Sequence, residues 1–389
     1  MKKLDEELYQ LLLTLPRFPF LSLVRQDKRG LAEARRAFVK DGVSPTFGYA
    51  RAARFDATGY LEKLGEVEVK IGQRAAPAPL LRLYQNKCAE LRARAEMIVA
   101  IQMKNDDEVT RLAKVIFGSP SFTAEELLAE YGQRTAHKSF VHKTRVDGEM
   151  FARMTRTMLD HYGLTDWRIK VLKRLAIQIG HGKRDRTPMV RIPRNMLVSK
   201  QRAIRLLTHE IEVHALRTAN GAKSPLHLLE RGCAGYIKTD EGLAMYYQEV
   251  MLADESPKII HAGFLEAYTV ALTEQHDFTG VYAELCKVIT AKKAWRLCVR
   301  AYRGITAPNK AGLGFYRDHV YRSGFMAVQA AHRAGGMKFL GEVFSGNISV
   351  EDLPVLAELK IPAGRLPDLV AEKVVKNELI KCKNRQSTT

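Results

Sequence analysis

The spacing of apolar residues divides the chain into a helical first part and a mixed second part. Between residues 79 and 117 apolar side chains recur at three- and four-residue intervals, which predicts a long helix, and the polar stretch Lys104-Asn105-Asp106 predicts a break in it. Another amphipathic helix is predicted over residues 148–162. Residues 167–172, 176–180 and 189–192 are short segments that favour strands, so we predict a small sheet there.

A further helix is predicted directly after this sheet. Ser199 is its expected N-cap, and Asn220-Gly221 is expected to end it in the left-handed conformation. Beyond residue 241 nearly the whole chain has helical periodicity. The pattern predicts a mostly helical α+β fold, with a helical N-terminal region over residues 1–150 and a second region over residues 151–389 that ends in a helical C-terminal part.

The helix after the sheet carries the motif His209-Glu210-Ile211-Glu212-Val213-His214. Zinc hydrolases with an open coordination position commonly use two histidines and one carboxylate and leave the fourth place for water. A glutamate beside the first histidine can take a proton from that water. The motif therefore predicts His209 and His214 as zinc ligands and Glu210 as the general base.

The five-residue spacing of the two histidines is not compatible with a regular helix. Five residues place the two side chains roughly 140° apart around the helix axis, too far for one metal ion. A single π-turn would reduce this angle to roughly 50°. We therefore predict a local irregularity between His209 and His214. Ordinary helix histidines, one packed and one solvated, are the alternative.

Glu241 is the candidate third ligand. It opens a helical segment, Glu241-Gly242-Leu243-Ala244, a short distance after the histidine motif. A glutamate on a second helix is the usual third ligand in one large class of zinc peptidases. Ligand type and ligand order together favour one zinc ion per chain.

Together the two motifs carry a resemblance to a known family. They resemble the H-E-x-x-x-H peptidases of the tyrosine carboxypeptidase family, which includes the QEGLA-motif proteins and the microtubule-associated tyrosine carboxypeptidase. The resemblance is strongest over residues 189–252, weaker over residues 302–324, and fades over the first 150 residues. It implies a zincin-like metallopeptidase with a small sheet beside the active-site helix, ligands His209, His214 and Glu241, and Glu210 as the base. The frequent Gln-Glu-Gly-Leu-Ala of the family is Asp240-Glu241-Gly-Leu-Ala here, and the extra carboxylate is expected to alter the hydrogen bonds around the ligands.

Residues 302–324 concentrate side chains that a peptidase needs beyond the metal. An oxyanion needs a second donor, and a terminal carboxylate is best held by the two parallel hydrogen bonds of a guanidinium. Tyr321 is the candidate catalytic donor, and Arg317, Arg303 and Tyr316 are the candidate substrate-binding residues. Tyrosines that pack in the core at the start of a cationic helix are the alternative.

Charge and cysteine usage restrict the partners and the compartment. The net charge is +19, from 62 basic and 43 acidic residues, which favours an anionic partner: nucleic acid, an anionic membrane surface or a substrate with an acidic tail. The basic clusters are scattered and show no nucleic-acid-binding signature, so nucleic acid is disfavoured. No apolar run approaches a membrane span, no signal-peptide core is visible, and the five unclustered cysteines favour reduced thiols in the cytoplasm.

These observations favour a cytoplasmic zinc metallocarboxypeptidase that removes C-terminal Tyr or Phe, as the resemblance implies. Two alternatives stay open. The first is a zinc endopeptidase or processing peptidase with a wider cleft. The second is a non-catalytic regulatory or binding protein that uses its basic surface, although the intact motif residues weigh against it.

Overall fold

The computed structural model describes residues 1–132, 145–173, 176–182, 187–250 and 263–386. The predicted break in the long helix is confirmed, because α6 ends at Gln102 and α7 begins at Asp106, where the side chain of Asn105 accepts a hydrogen bond from the backbone of Glu108. The first part of the chain is helical, with α1 (Lys2–Leu13), α2 (Phe20–Leu23), α3 (Lys28–Asp41), α4 (Ala50–Ala53), α5 (Ala57–Gly72), α6 (Ala78–Gln102), α7 (Asp106–Phe117) and α8 (Ala124–Gly132).

The predicted strands are confirmed, and they form a small mixed sheet in which β4 (Pro188–Pro193) lies between β2 (Arg168–Leu172) and β3 (Gln178–His181). Strands β2 and β4 are parallel, β3 pairs antiparallel with β4, and β3 contacts the helix that carries the histidine motif. A separate antiparallel pair, β1 (Arg145–Asp147) with β5 (Leu197–Ser199), lies next to the helices α9 (Gly148–His161) and α10 (Lys200–Leu207). The elements are β1 (Arg145–Asp147), α9 (Gly148–His161), β2 (Arg168–Leu172), β3 (Gln178–His181), β4 (Pro188–Pro193) and β5 (Leu197–Ser199).

The rest of the described chain is mostly helical, as predicted. Ser199 caps α10 by accepting from the backbone N–H of Arg202 at 3.3 Å. The elements are α10 (Lys200–Leu207), a π-helical segment (Thr208–Ala215), α11 (Leu216–Lys223), α12 (Leu228–Arg231), α13 (Tyr236–Val250), α14 (Phe264–Thr273), α15 (Phe278–Cys286), α16 (Ala291–Ala301), a 3₁₀ turn (Arg317–His319), α17 (Val320–Val343), α18 (Leu353–Glu358) and α19 (Ala371–Gln386).

One predicted helix end is wrong. The helix does not stop at Asn220-Gly221 but continues to Lys223, and Gly221 does not have a positive φ. A Cβ at Gly221 would overlap the backbone of Leu229. Glycine is required there because α11 and α12 approach each other closely at this point, and the local sequence does not show that contact.

Two clusters of buried apolar side chains hold the described residues together. The first surrounds the sheet and the histidine helix and includes Phe151 and Ile211. The second packs α6 and α7 against α14, α15 and α16 and includes Leu112 and Phe278. Both clusters contain residues from before and after residue 150, and the division at that position stays a prediction. No helix in the described part of the chain is long and apolar enough to cross a bilayer.

Helices α13 and α17 cross at a pair of glycines beside the histidine motif. A Cβ at Gly242 would overlap the backbone of Gly324, and a Cβ at Gly324 would overlap the carbonyl of Lys238. Glycine at both positions lets the two backbones touch. This crossing brings Glu241, the neighbour of Gly242, within electrostatic range of Tyr321, which lies one turn before Gly324.

We expect Gly324→Ala to destabilise the fold by at least the ~1–3 kcal/mol typical of overpacking, because the overlapping atom belongs to a helix backbone and cannot swing away. Thermal or urea unfolding followed by circular dichroism measures the loss. Gly30→Ala is the matched control, since nothing lies within 4 Å of its added Cβ in α3, and it should be neutral or slightly stabilising. Equal stability of the two variants would contradict the close crossing.

Candidate metal centre

The two histidines lie in the π-helical segment Thr208–Ala215, so the predicted irregularity between them is confirmed. The N–H of Leu216 donates to the carbonyl of Ile211, five residues back, which is the bond that defines a π-turn. The wider turn brings the imidazoles together, with ring centroids 4.6 Å apart and planes at 84°.

Glu241, at the start of α13, meets both imidazoles. Nε2 of His209 lies 3.4 Å from Oε2 of Glu241, and Nε2 of His214 lies 3.8 Å from the same oxygen. One donor atom from each residue lies within 4.8 Å of the other two. In a tetrahedral zinc site with bonds of about 2.0–2.2 Å, neighbouring ligand atoms are roughly 3.3–3.6 Å apart. The donor types and their spacing therefore fit a zinc-like ion, and these three residues could hold it.

Asp240 and Arg217 support the outer side of this cluster. Oδ2 of Asp240 lies 2.7 Å from Nδ1 of His214. Oδ1 of Asp240 accepts from Arg217 at 2.6 Å. Arg217 is fully buried and also donates to the carbonyls of Val343 and Ile348. The contact at Nδ1 leaves Nε2 of His214 as the donor atom on the side of Glu241.

The charges of His214 and Asp240 depend on each other. Burial alone would lower the pKa of His214, but the carboxylates of Asp240, Glu241 and Glu210 together outweigh it and raise the pKa to about 9. Burial would raise the pKa of Asp240, yet His214 and Arg217 lower it well below its ordinary value. Asp240 is therefore ionised, and its contact with Nδ1 is the type of outer-shell partner that orients a ligating imidazole. Sequence reasoning gave no role to Arg217, although it lies three residues after His214.

The two glutamates of the motif have different surroundings. Glu210 lies next to His209 and lines a cleft of about 730 Å³ that opens beside the two residues, which we call the main cleft. Burial raises the pKa of Glu210, and the two imidazoles lower it in part. Glu212 is fully buried and accepts from the hydroxyl of Tyr162 at 3.1 Å and from the backbone of Val370 at 2.6 Å. Only Glu210 of the pair is available to a molecule in the cleft.

The structure brings Arg317 and Tyr321 to the cluster. Nη2 of Arg317 lies 3.5 Å from Oε1 of Glu241, and Nη1 lies 3.6 Å from Asp318. Tyr321 lines the main cleft. Burial and the charge of Glu241 raise the pKa of Tyr321 to about 12, so its hydroxyl keeps a proton that it can donate. Arg317 binds the outer oxygen of a candidate ligand rather than facing the cleft.

Tyr316 and Arg303 lie elsewhere. The ring of Tyr316 is fully buried in the second apolar cluster, and its hydroxyl donates to the carboxylate of Glu274. Arg303 is half-buried, and burial lowers its pKa to about 10 although Asp318 opposes the change. Neither residue lines the main cleft. Their substrate-binding roles remain predictions.

The main cleft, of about 730 Å³, opens beside His209 and Glu210. Its apolar wall includes Leu206 and Met245, and sequence reasoning missed three charged residues on its surface, Arg202, Glu266 and Arg300. A signal for the first was present, since Arg202, Leu206 and His209 recur at helical spacing on one face of the histidine helix. The other two come from α14 and α16, and no local pattern connects them to the motif.

The chain was compared with models of known protein families. The model of the family described as microtubule-associated tyrosine carboxypeptidase matches residues 36–363, which is most of the chain. The match begins well before residue 150, so it extends further toward the N-terminus than the resemblance of the motifs alone. A comparison with curated proteins gave no match. The chain belongs to the microtubule-associated tyrosine carboxypeptidase family.

Proposed function

We propose that this member of the tyrosine carboxypeptidase family is a zinc-dependent metallocarboxypeptidase that removes a C-terminal Tyr or Phe from a protein or peptide. The observation that carries the proposal is the convergence of His209, His214 and Glu241 on one point, with Glu210 on the adjoining cleft. We further propose that the sheet beside the histidine helix serves as in zincin-like peptidases, with edge strand β3 available to an extended peptide.

His209, His214 and Glu241 would hold the metal ion. Zinc in such a site polarises a carbonyl oxygen and lowers the pKa of a coordinated water. The surrounding residues keep the donors in place: Asp240 contacts the far nitrogen of His214, and Arg217 holds Asp240. Such outer partners orient the ligands.

Glu210 has the position of a general base. In the proposed reaction its carboxylate takes a proton from the attacking water and then gives it to the amine of the departing residue. Burial favours the protonated form of a carboxylate, and this makes both proton transfers accessible. Glu212 is already occupied by Tyr162 and Val370, so it does not compete for this role.

Tyr321 is the proposed donor to the oxyanion. It lines the cleft, keeps its proton at neutral pH and lies beside Arg317. A preformed donor directed at the developing negative charge lowers the barrier without reorganisation. Arg317 supports this arrangement through its contact with Glu241.

The positive charge of the chain suggests an acidic substrate tail. A second cavity of about 570 Å³ is lined in part by Arg317. Carboxylates of an acidic peptide tail would find cationic partners there. The arginines of the second cavity are Arg17, Arg25, Arg51, Arg94 and Arg317.

The free thiols of the five cysteines fit a reducing compartment such as the cytoplasm.

The test is hydrolysis of a peptide set that differs only in the last residue. We expect loss of a terminal Tyr or Phe, one residue per cleavage by mass spectrometry, and activity that disappears with a chelator and returns with zinc. The matched control is the same peptide with a C-terminal amide, which a carboxypeptidase cuts poorly. Equal cleavage of the amide would favour the endopeptidase. No cleavage by protein with a full complement of zinc would favour the non-catalytic binding protein.

A further inference from the structure

Arg202 occupies a fixed position in the main cleft. Its backbone is held by the Ser199 cap at the start of α10. Its side chain is exposed, and it lines the cleft together with Leu206, His209 and Glu210 on the same face of the helix. A cation on a rigid helix that opens onto the candidate active site is well placed to contact a bound molecule.

Among the described residues, the guanidinium of Arg202 forms no hydrogen bond and no ion pair. Glu210 and Glu266 are its electrostatic neighbours, and neither lies close enough to form an ion pair with it. Arg300, the other arginine of this cleft, donates to Asp318 at 2.7 Å and lies 3.8 Å from Glu266. Of the two arginines that line the cleft, Arg202 is therefore the one whose donors meet no partner within the described part of the chain.

The spacing from Arg202 to Glu210 fits removal of a single residue. The two positions are eight apart, which is at most about 12 Å along the helix axis, because the π-helical chain from Thr208 onward rises less per residue than an α-helix. One extended residue spans at most about 3.6 Å, so the side chains of Arg202 and Glu210, which line the same cleft, have to span the rest. A peptide with its scissile carbonyl near Glu210 would bring its last carboxylate toward Arg202, and its last side chain would lie against Leu206 and Met245.

We propose that Arg202 binds the C-terminal carboxylate of the peptide substrate and thereby makes the enzyme an exopeptidase. This inference rests on the proposed function. A guanidinium matches a carboxylate with two parallel charge-assisted hydrogen bonds. Arg317 and Arg303 do not line this cleft, and Arg317 is already in contact with Glu241 and Asp318.

The test compares a peptide that ends in Tyr with its C-terminal amide. For Arg202→Gln we expect kcat/KM on the acid to fall about ten- to a hundredfold, the range for a lost charge-assisted bond, with the amide rate within about twofold of wild type. Arg202→Lys keeps the positive charge but cannot form two parallel hydrogen bonds to one carboxylate, so its kcat/KM on the acid should lie between those of the wild type and Arg202→Gln. Arg194→Gln is the matched control, because it removes the same charge from an exposed position outside the cleft, and it should keep the preference for the acid.

A binding measurement separates the assignment from the proposed function. In the Glu210→Gln background, fluorescence anisotropy with labelled acid and amide peptides should show a preference for the acid that Arg202→Gln removes. If this binding preference is found but the wild type cleaves neither peptide, the proposed peptidase function is rejected and the assignment of Arg202 as a carboxylate-binding residue stands. An acid preference that survives Arg202→Gln, or one that disappears only in Arg317→Gln with its zinc intact, overturns the assignment. Absence of both binding and cleavage rejects both.

Discussion

Glu210→Gln is expected to lower kcat on a peptide that ends in Tyr by about 10²–10⁴-fold, the usual contribution of a general base, while metal content and fold stay unchanged. The amide has the shape of the carboxylate but cannot accept the proton from water. Because the loss falls on the catalytic step, KM should change little. Steady-state kinetics, elemental analysis for zinc and circular dichroism on the same preparation measure the three quantities.

Glu212→Gln is the matched control for this variant, since it makes the same change two residues further along the helix. Glu212 bonds to Tyr162 and Val370 and does not line the cleft, so its loss should reduce the melting temperature and leave kcat per folded molecule nearly intact. A kcat of the Glu210→Gln variant equal to that of the wild type would contradict the proposed role of Glu210 as the general base.

The second large effect concerns Glu241. Glu241→Ala should lower zinc affinity more than the roughly 10–100-fold loss that follows from changes to outer-shell partners, because it deletes one of three protein donors. Titration with a chelator of known affinity measures the loss. Zinc should also stop raising the melting temperature, since a ligand stabilises the folded state only in proportion to its occupancy.

The Glu210→Gln variant is the comparison for this experiment, because it changes a carboxylate of the same site that is not a proposed ligand. It should keep the zinc-dependent rise in melting temperature. Comparing the metal-free proteins isolates the effect of leaving Arg317 without the carboxylate that lies 3.5 Å from it. Full zinc content in Glu241→Ala would place the third donor elsewhere, and Asp240 would be the first residue to examine.

Local patterns predicted the elements around the site well. The break near Lys104, the three strands and the cap at Ser199 all follow from short stretches of sequence and are confirmed. The π-turn is confirmed as well, because a five-residue spacing can place two imidazoles on one side of a helix only if the helix is distorted. The predicted helix end at Gly221 is wrong. Glycine is needed at this position because the backbone of Leu229 packs against it, and not because the chain turns there.

The sequence by itself determined which functional groups the candidate site contains: two imidazoles with a glutamate beside the first, and a further glutamate on a later helix. Only the tertiary structure decided which side chains meet. The crossing of α13 and α17 at Gly242 and Gly324 places Glu241 against the imidazoles. Periodicity along a chain shows which face of a helix is buried, but not which distant helix covers it. For the same reason the sequence favoured Arg317 for the substrate carboxylate, whereas the folded chain pairs Arg317 with Glu241 and leaves Arg202 facing the cleft.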